Sequence, residues 1–472
     1  MNPSSERARP GEHVPRRIPL IVAAAFFMET LDSTIITTAL PAMARSLGAT
    51  TLEVSVAITV YLVAMTVFVP TAAWASERYD ARALFAGAIA VFTFASLLCG
   101  ASPSLPTLLA ARALQGAAAA YMSPVGRLVV LRETPKRHII VALGMIVWPG
   151  LIAPVIGPAL GGWIATYASW RWIFFVNIPL GIVGVWLVLR YVPPHHGRNP
   201  VRFDATGFTL TGLALGASIL GLSHIAQGPA DFGGGALLVA AGAALGYAAV
   251  RHAHRHPSPM LRLAAVSIPT FALSVVTSGL LARIAISMTP FLLPLMFQFG
   301  FGVSPFEAGI MLLIYMSGNL AMKSATTRIL KRFGFRRVIL ANGALCVGSL
   351  IACALLSPRL PAPVIYVVLF AAGMTRSMNF TTTATLAFAD VPSAVRPSAT
   401  TLAAMAQQAA NAIGVAAAAI ALSVSQLARD GAGLALVDFR NALLASALLM
   451  ALAIAWATRL PADAGRELSQ PS

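Results

Sequence analysis

The stretch FFMETLDSTIITTALP, Phe26–Pro41, sets two carboxylates, Glu29 and Asp32, three residues apart inside an apolar run. On a helix that spacing puts both side chains on nearly one face. A bare carboxylate is costly in lipid, so such a pair marks function in a membrane unless neighbouring cations lock it in place. Whether this run lies in a membrane therefore decides both fold and chemistry.

Composition settles the point. Of 472 residues, 58% are hydrophobic and only 10% charged, against about 25% charged in a soluble domain. The chain has too few charges to cover a surface facing water. Cys99, Cys346 and Cys353 lie in apolar runs, without the number or spacing of a disulfide framework or metal set, and read as small buried hydrophobes. Behind the polar, basic opening MNPSSERARPGEHVPRR, the apolar run outlasts a signal peptide and shows no small-residue cleavage site. It reads as a retained first span.

A window of about 20 residues finds apolar segments at 18–43, 53–75, 82–100, 106–128, 138–162, 171–190, 207–226, 233–250, 268–298, 305–326, 338–356, 362–387, 399–424 and 439–458. The expected fold is an all-α polytopic membrane protein of fourteen spans, since strand alternation recurs too seldom for a barrel. Threading these spans leaves most of the 33 lysines and arginines on the side of the N-terminus, and Arg45, Arg171, Arg359, Arg429 and Arg440 on the other. The positive-inside rule then puts both termini in the cytoplasm. Basic loops facing anionic lipid account for the net charge of +17 without any nucleic acid.

Four cations fall inside predicted spans. Arg112 and Arg283 have apolar flanks on both sides and must meet a carboxylate, carbonyls, water or substrate. Lys323 is near enough to a span end to snorkel. Arg376 belongs to AAGMTRSMNFTTTATL, with Asn379, a stretch polar enough to line a cavity or to bond helices together.

The basic turns WASERYDARAL and TTRILKRFGFRRVIL fall at equivalent places in two six-helix units if the seventh and eighth spans are an insertion. The expected organisation is a tail at 1–17, a bundle at 18–190, a linker at 191–206, two additional helices at 207–250, a linker at 251–267, a second bundle at 268–458 and a tail at 459–472. Two bundles about a central path suit alternating access. Asp204, ahead of an apolar run, marks a helix start. His252, His254 and His256 alternate in a basic stretch. With no acidic residue or cysteine beside them in sequence, they read as a solvated linker rather than a metal site.

Three longer stretches carry a family resemblance: LDSTIITTALPAMARSLG, RALQGAAAAYMSPVGRLV and PGLIAPVIGPALGGWIATYASWRWIFFVNIPLGI. From about residue 18 to 458 the chain resembles the major facilitator superfamily, in particular its fourteen-span drug:proton antiporter type. The resemblance implies a proton-coupled exporter of small molecules, with multidrug efflux as the expected activity. It puts Asp32 at the proton-coupling position of the first helix, with Glu29 beside it and Arg112 as the arginine of the fourth helix. Gly150, Pro154, Gly157, Pro158, Gly161 and Gly162 stand in the antiporter motif of the fifth helix, where prolines bend the backbone and small residues allow close approach. Gln115, Arg283, Arg376 and Asn379 are the candidates for a substrate cavity.

The first gating loop departs from the family. Ala73 through Arg82 keep a carboxylate at Glu77 and basic residues at Arg78 and Arg82, but Asp80 replaces a glycine suited to a left-handed turn. Asp tolerates that turn next best. The second loop keeps Arg332, Gly334 and Arg336 in the expected places. Within the family the likeness is nearest to an enterobacterial multidrug-transporter subgroup also considered as iron-citrate exporters, which makes citrate or iron-citrate efflux the alternative substrate reading.

A carboxylate at span depth is held most cheaply as its protonated form, and opening it to water lets the proton leave. Coupled to alternating access, that is an antiport cycle. The expected partners are protons, a small-molecule substrate and lipid, acting on a functional monomer in a bacterial inner membrane without a cofactor. A phosphate-cradling loop, a zinc-protease histidine pair and a nucleophile elbow are all missing from the sequence, so an enzyme is not expected. A membrane receptor or scaffold is the weaker rival, since it has no need of ionisable residues spread through both bundles.

Overall fold

The computed structural model describes residues 16–135, 138–194, 202–429, 431, 433–461 and 464–465. Among them run fourteen long helical segments: α1 (Arg17–Leu47), α2 (Thr51–Arg78), α3 (Ala81–Ala101), α4 (Leu105–Glu133), α5 (Ile139–Tyr167), α6 (Trp172–Tyr191), α7 (Ala205–Ile225), α8 (Pro229–Arg255), α9 (Pro269–Gly300), α10 (Pro305–Phe333), α11 (Phe335–Ala354), α12 (Ala362–Leu386), α13 (Arg396–Ala428) and α14 (Leu436–Ala457). Twelve are long and apolar enough to cross a membrane. The other two, α4 and α10, are 29 residues each but less apolar, because they carry Arg112 and Gln115 in one case and Lys323 with a basic end in the other.

Local chemistry fixes the helix ends. Gly48 closes α1 in a left-handed conformation (φ 63°) with its N–H on the Ala44 carbonyl. Reciprocal bonds between Thr50 and Glu53 cap α2, and between Ser304 and Glu307 cap α10. Helix α9 carries a π-helical turn near each end, Ala272–Val276 and Met296–Gly300, a local widening often found at functional sites.

In the first bundle α1 lies against α5, α6 and α4, while α4 also takes α2 and α3. In the second, α10 packs on α12, and α14 on α11, α9 and α13. The bundles meet chiefly through α5 against α10 and α2 against α13. Helices α7 and α8 pack mainly on each other, and α7 leans on α2 and α13. Only 11% of the apolar window of α8 is buried, with Leu237 and Tyr247 more than two-thirds exposed. An apolar surface of that kind suits contact with lipid.

Two local expectations are corrected. Asp80 does not adopt a left-handed turn. It sits at φ −62°, ψ 122° and caps α3 by accepting the Arg82 N–H at 3.0 Å, so an extended Tyr79–Asp80 link replaces the glycine turn. The second loop keeps the positive φ, 75° at Gly334. The histidines are also not free in a linker: α8 runs on through Arg255, and Asp204, 48 residues away, accepts a bond from His252 Nε2 at 2.8 Å or pairs with its charged form. The tail at 1–15 and Arg198 lie outside the described residues.

Candidate functional site

Asp32 stands midway along α1 with no exposed surface. Arg112 NH1, from α4, donates to its Oδ2 at 2.6 Å, while Gln115 Nε2 and Asn177 Nδ2 donate to Oδ1 at 2.9 and 2.8 Å. Three N–H donors, from α4 and α6, thus converge on one buried carboxyl group. Arg112 is the charge that faces this carboxyl group inside the bundle.

Arg112 is itself fully buried. It donates to Gln115 Oε1 at 2.6 Å and to the Ala57 carbonyl at 3.3 Å, and the Tyr61 ring lies 4.2 Å from its guanidinium carbon. Ser96 accepts from Gln115 and Asn177 and ties α3 into the cluster. Gln115, expected in a substrate cavity, therefore belongs to the carboxylate network. Sequence reading missed Asn177 and Ser96, which look like ordinary polar residues in apolar helices, and Tyr61, which looks like core.

Glu29 faces elsewhere. Its Oε2 accepts from Ser123 at 2.8 Å, and it lines a cavity of about 300 Å³ between the bundles. The walls come from α1, α2, α9, α12 and α13, including Ser33, Tyr61, Ser287, Arg376, Gln408 and Asn411. Tyr61 is thus the shared wall: one side borders the cavity, the other lies on Arg112. Ser287 donates to Asn411 at 2.9 Å and Gln407 to the same oxygen at 3.0 Å, a polar cluster from α9 and α13. The signal for it, the polar run AQQAAN at Ala406–Asn411 within an apolar helix, was present in the sequence.

Of the remaining cavity candidates, Arg376 lines the wall, 5.9 Å from the Tyr315 ring, with NH1 on the Met316 sulfur at 3.6 Å. Arg283 and Asn379 are buried outside that lining. Among the described residues, Arg283 Nε and NH1, Arg376 Nε and Asn379 Oδ1 have no hydrogen-bond partner. Neither arginine is in ion-pair range of a carboxylate among the described residues. Lys323, partly buried, donates to Thr381 at 2.9 Å.

The fifth helix presses on the carboxylate-bearing one. A Cβ added at Gly161 meets the Ile35 carbonyl oxygen at 2.1 Å, and Thr38 of α1 donates to the Pro158 carbonyl at 3.1 Å. Gly157 and Gly150 face Thr34 and Thr30 of α1, while Gly162 faces Pro305 of α10. Pro154 and Pro158 lie within α5, which continues through them. Gly161→Ala is expected to force α1 and α5 apart and cost about 1–3 kcal/mol of stability. Gly144→Ala on the same helix, where a methyl meets nothing within 4 Å, should leave the thermal unfolding temperature in detergent unchanged or raised. Equal effects would contradict the backbone contact as the cause.

The gating loops lie at the face of the molecule where α1 starts. Arg78 is stacked 5.8 Å from Trp74 and 5.9 Å from Tyr79, and Arg82 donates to the Leu189 carbonyl. Glu77 is exposed and borders a groove of about 400 Å³ with Arg202, Asp204 and the start of α13. In the second bundle Arg336 donates to the Thr458 carbonyl at 3.2 Å, and Arg332 lies 5.4 Å from Phe333. At the opposite face the bundles are joined: Gln298 donates to the Thr38 carbonyl at 3.1 Å, and the Phe306 N–H to Thr166 at 3.2 Å.

Comparisons with known proteins agree with this architecture. MdtD of Pectobacterium carotovorum subsp. carotovorum is 36% identical over 457 residues, covering 96% of this chain and 97% of the relative. MdtD of Escherichia coli O6:H1 is 37% identical over 452 residues, 94% of each chain. Both bear a provisional multidrug-resistance designation. Among solved structures, a bacterial homolog of the human lysosomal transporter Spinster, inward-facing and unoccupied, superposes with a TM-score of 0.66 at 14% identity, over 98% of this chain and 100% of that one. A D-xylose–proton symporter gives 0.63 at 13%, over 92% and 96%. At such identities the likeness speaks for the fold alone. The Major Facilitator Superfamily model matches residues 22–415. The protein is a secondary-active small-molecule transporter of a bacterial inner membrane. With that match over most of the length and relatives aligned almost end to end, the chain belongs to the Major Facilitator Superfamily.

Proposed function

We propose that the protein exports small molecules in exchange for protons, with multidrug efflux as its activity and Asp32 as the group that gains and loses the proton. The observation that carries this is a fully buried Asp32–Arg112 pair separated by Tyr61 from a cavity shared by both bundles. Arg112 can favour the anion when the proton leaves. When the pair separates during the conformational change, an isolated carboxylate in a low-dielectric setting takes the proton back. Glu29, in the cavity wall, serves a cationic substrate or a second proton. The relatives' designation supports drugs as substrates.

Both termini lie in the cytoplasm on this reading, with a first bundle at 18–190, two additional helices at 207–250 and a second bundle at 268–458, working as a monomer. The joined face is then periplasmic. In a background lacking Cys99, Cys346 and Cys353, Gln227→Cys should label from outside intact cells. Arg255→Cys should label only after permeabilisation. The reverse pattern would overturn the orientation.

Arg283 and Arg376, cationic and without carboxylate partners, favour a second reading in which the substrate is anionic, such as citrate or iron-citrate. Everted vesicles carrying the protein decide between them by accumulation of a lipophilic cationic dye or of labelled citrate, with and without iron. Drug export predicts dye accumulation that collapses with the proton gradient. Citrate accumulation without dye accumulation would replace it. If citrate is bound in the cavity, Arg376→Lys should weaken binding to the purified protein, since lysine keeps the charge but loses the planar fork.

A further inference from the structure

We propose that Asp204, His252 and His256 form a binding site for one divalent transition-metal ion of the zinc, cobalt and nickel class. The three residues come from the two ends of the α7–α8 hairpin: Asp204 caps the start of α7, and the histidines, four residues apart, share a face at the end of α8. One ring nitrogen of each histidine and one carboxylate oxygen all lie within 4.8 Å of one another. Two imidazoles and a carboxylate with positions left for water suit a borderline cation rather than calcium or magnesium, which take all-oxygen shells.

The surroundings hold these ligands in place. Asp204 is buried and accepts the Gly207 N–H at 2.8 Å and the Met260 N–H at 3.1 Å. The rings of His252 and His256 are 5.0 Å apart, and the Ser258 N–H donates to His256 Nδ1 at 3.3 Å, a long bond that gives way when either nitrogen of that ring takes the ion. His252 Nε2 and Asp204 Oδ1 are already 2.8 Å apart. Ligands about 2.0–2.2 Å from a tetrahedral ion sit about 3.4 Å from each other. The ion would therefore take the place of the proton between His252 and Asp204 and draw His256 inward by a little over an ångström at most, a side-chain rotation.

The site also has a place in the machinery. Asp204 borders the groove that holds Glu77 of the first gating loop and the start of α13, and residues 256–268 lead from His256 into α9. An ion there would clamp the hairpin ends to the segment that enters the second bundle.

The test uses the full-length protein purified in detergent without a histidine tag and titrated with cobalt(II). The wild type should show tetrahedral d–d absorption bands saturating at one cobalt per chain, and zinc should displace them. The double variant His252→Ala, His256→Ala should lose the bands at equal cobalt concentration while keeping its helical circular dichroism. His256→Cys should keep the bands and add a thiolate-to-cobalt charge-transfer band in the near ultraviolet, a positive signal that does not depend on the double variant folding. Three results would overturn the site: no cobalt spectrum in the wild type, unchanged bands in a folded double variant, or cobalt bound by His256→Cys with no charge-transfer band.

Discussion

Asp32→Asn is expected to reduce proton-driven export to background while the protein still inserts in the membrane. Asparagine keeps the size of the side chain but neither releases nor binds a proton near neutral pH. It also turns an amide donor toward a position where Arg112, Gln115 and Asn177 already supply donors. Glu29→Gln should leave partial transport, because Glu29 stands in the cavity wall with Ser123 and outside the Asp32 network. The check is dye accumulation in everted vesicles under an imposed proton gradient, normalised to the amount of inserted protein. Full gradient-driven transport by Asp32→Asn would remove Asp32 from the cycle.

The second large effect separates structural from functional roles. Asp32 and Arg112 are both fully buried and paired at 2.6 Å, so removing either leaves a buried charge without its partner, which costs about 3–5 kcal/mol. Arg112→Met and Asp32→Asn should each lower the thermal unfolding temperature markedly. The double variant, which buries no net charge at the site, should recover most of the loss. It should recover no proton-coupled transport. Recovery of both would make the pair a structural lock, and recovery of neither would show that Gln115, Asn177 and Ala57 hold the helices only when both charges are present.

Much of this architecture was legible in the sequence because lipid is an unforgiving solvent: the helices of this chain follow the apolar windows, and Glu29, Asp32, Arg112, Arg283 and Arg376 stood out as charges with no cheap place to go. What they would meet was not legible. Asn177 is 145 residues from Asp32 and Arg112 is 80, and the rotation of each helix about its axis is set by packing between helices. Gln115 could face a cavity or a neighbour with equal warrant from sequence, and packing turned it to Asp32. The Asp80 turn escaped because an N-cap in extended conformation serves as well as a left-handed residue for reversing the chain. The histidines escaped for a reason of distance, since their acidic partner sits at the far end of a helical hairpin.

The most direct test of the central claim is proton release on substrate binding, without transport. Purified protein in weakly buffered detergent solution near neutral pH, with a pH-indicating dye, receives a saturating amount of a non-titrating lipophilic cation. The wild type should release a proton into solution as substrate binds, and Asp32→Asn should bind the same cation with that release lost. Identical proton release by Asp32→Asn, or tight binding to the wild type with no release across the pH range in which export operates, would contradict exchange through Asp32.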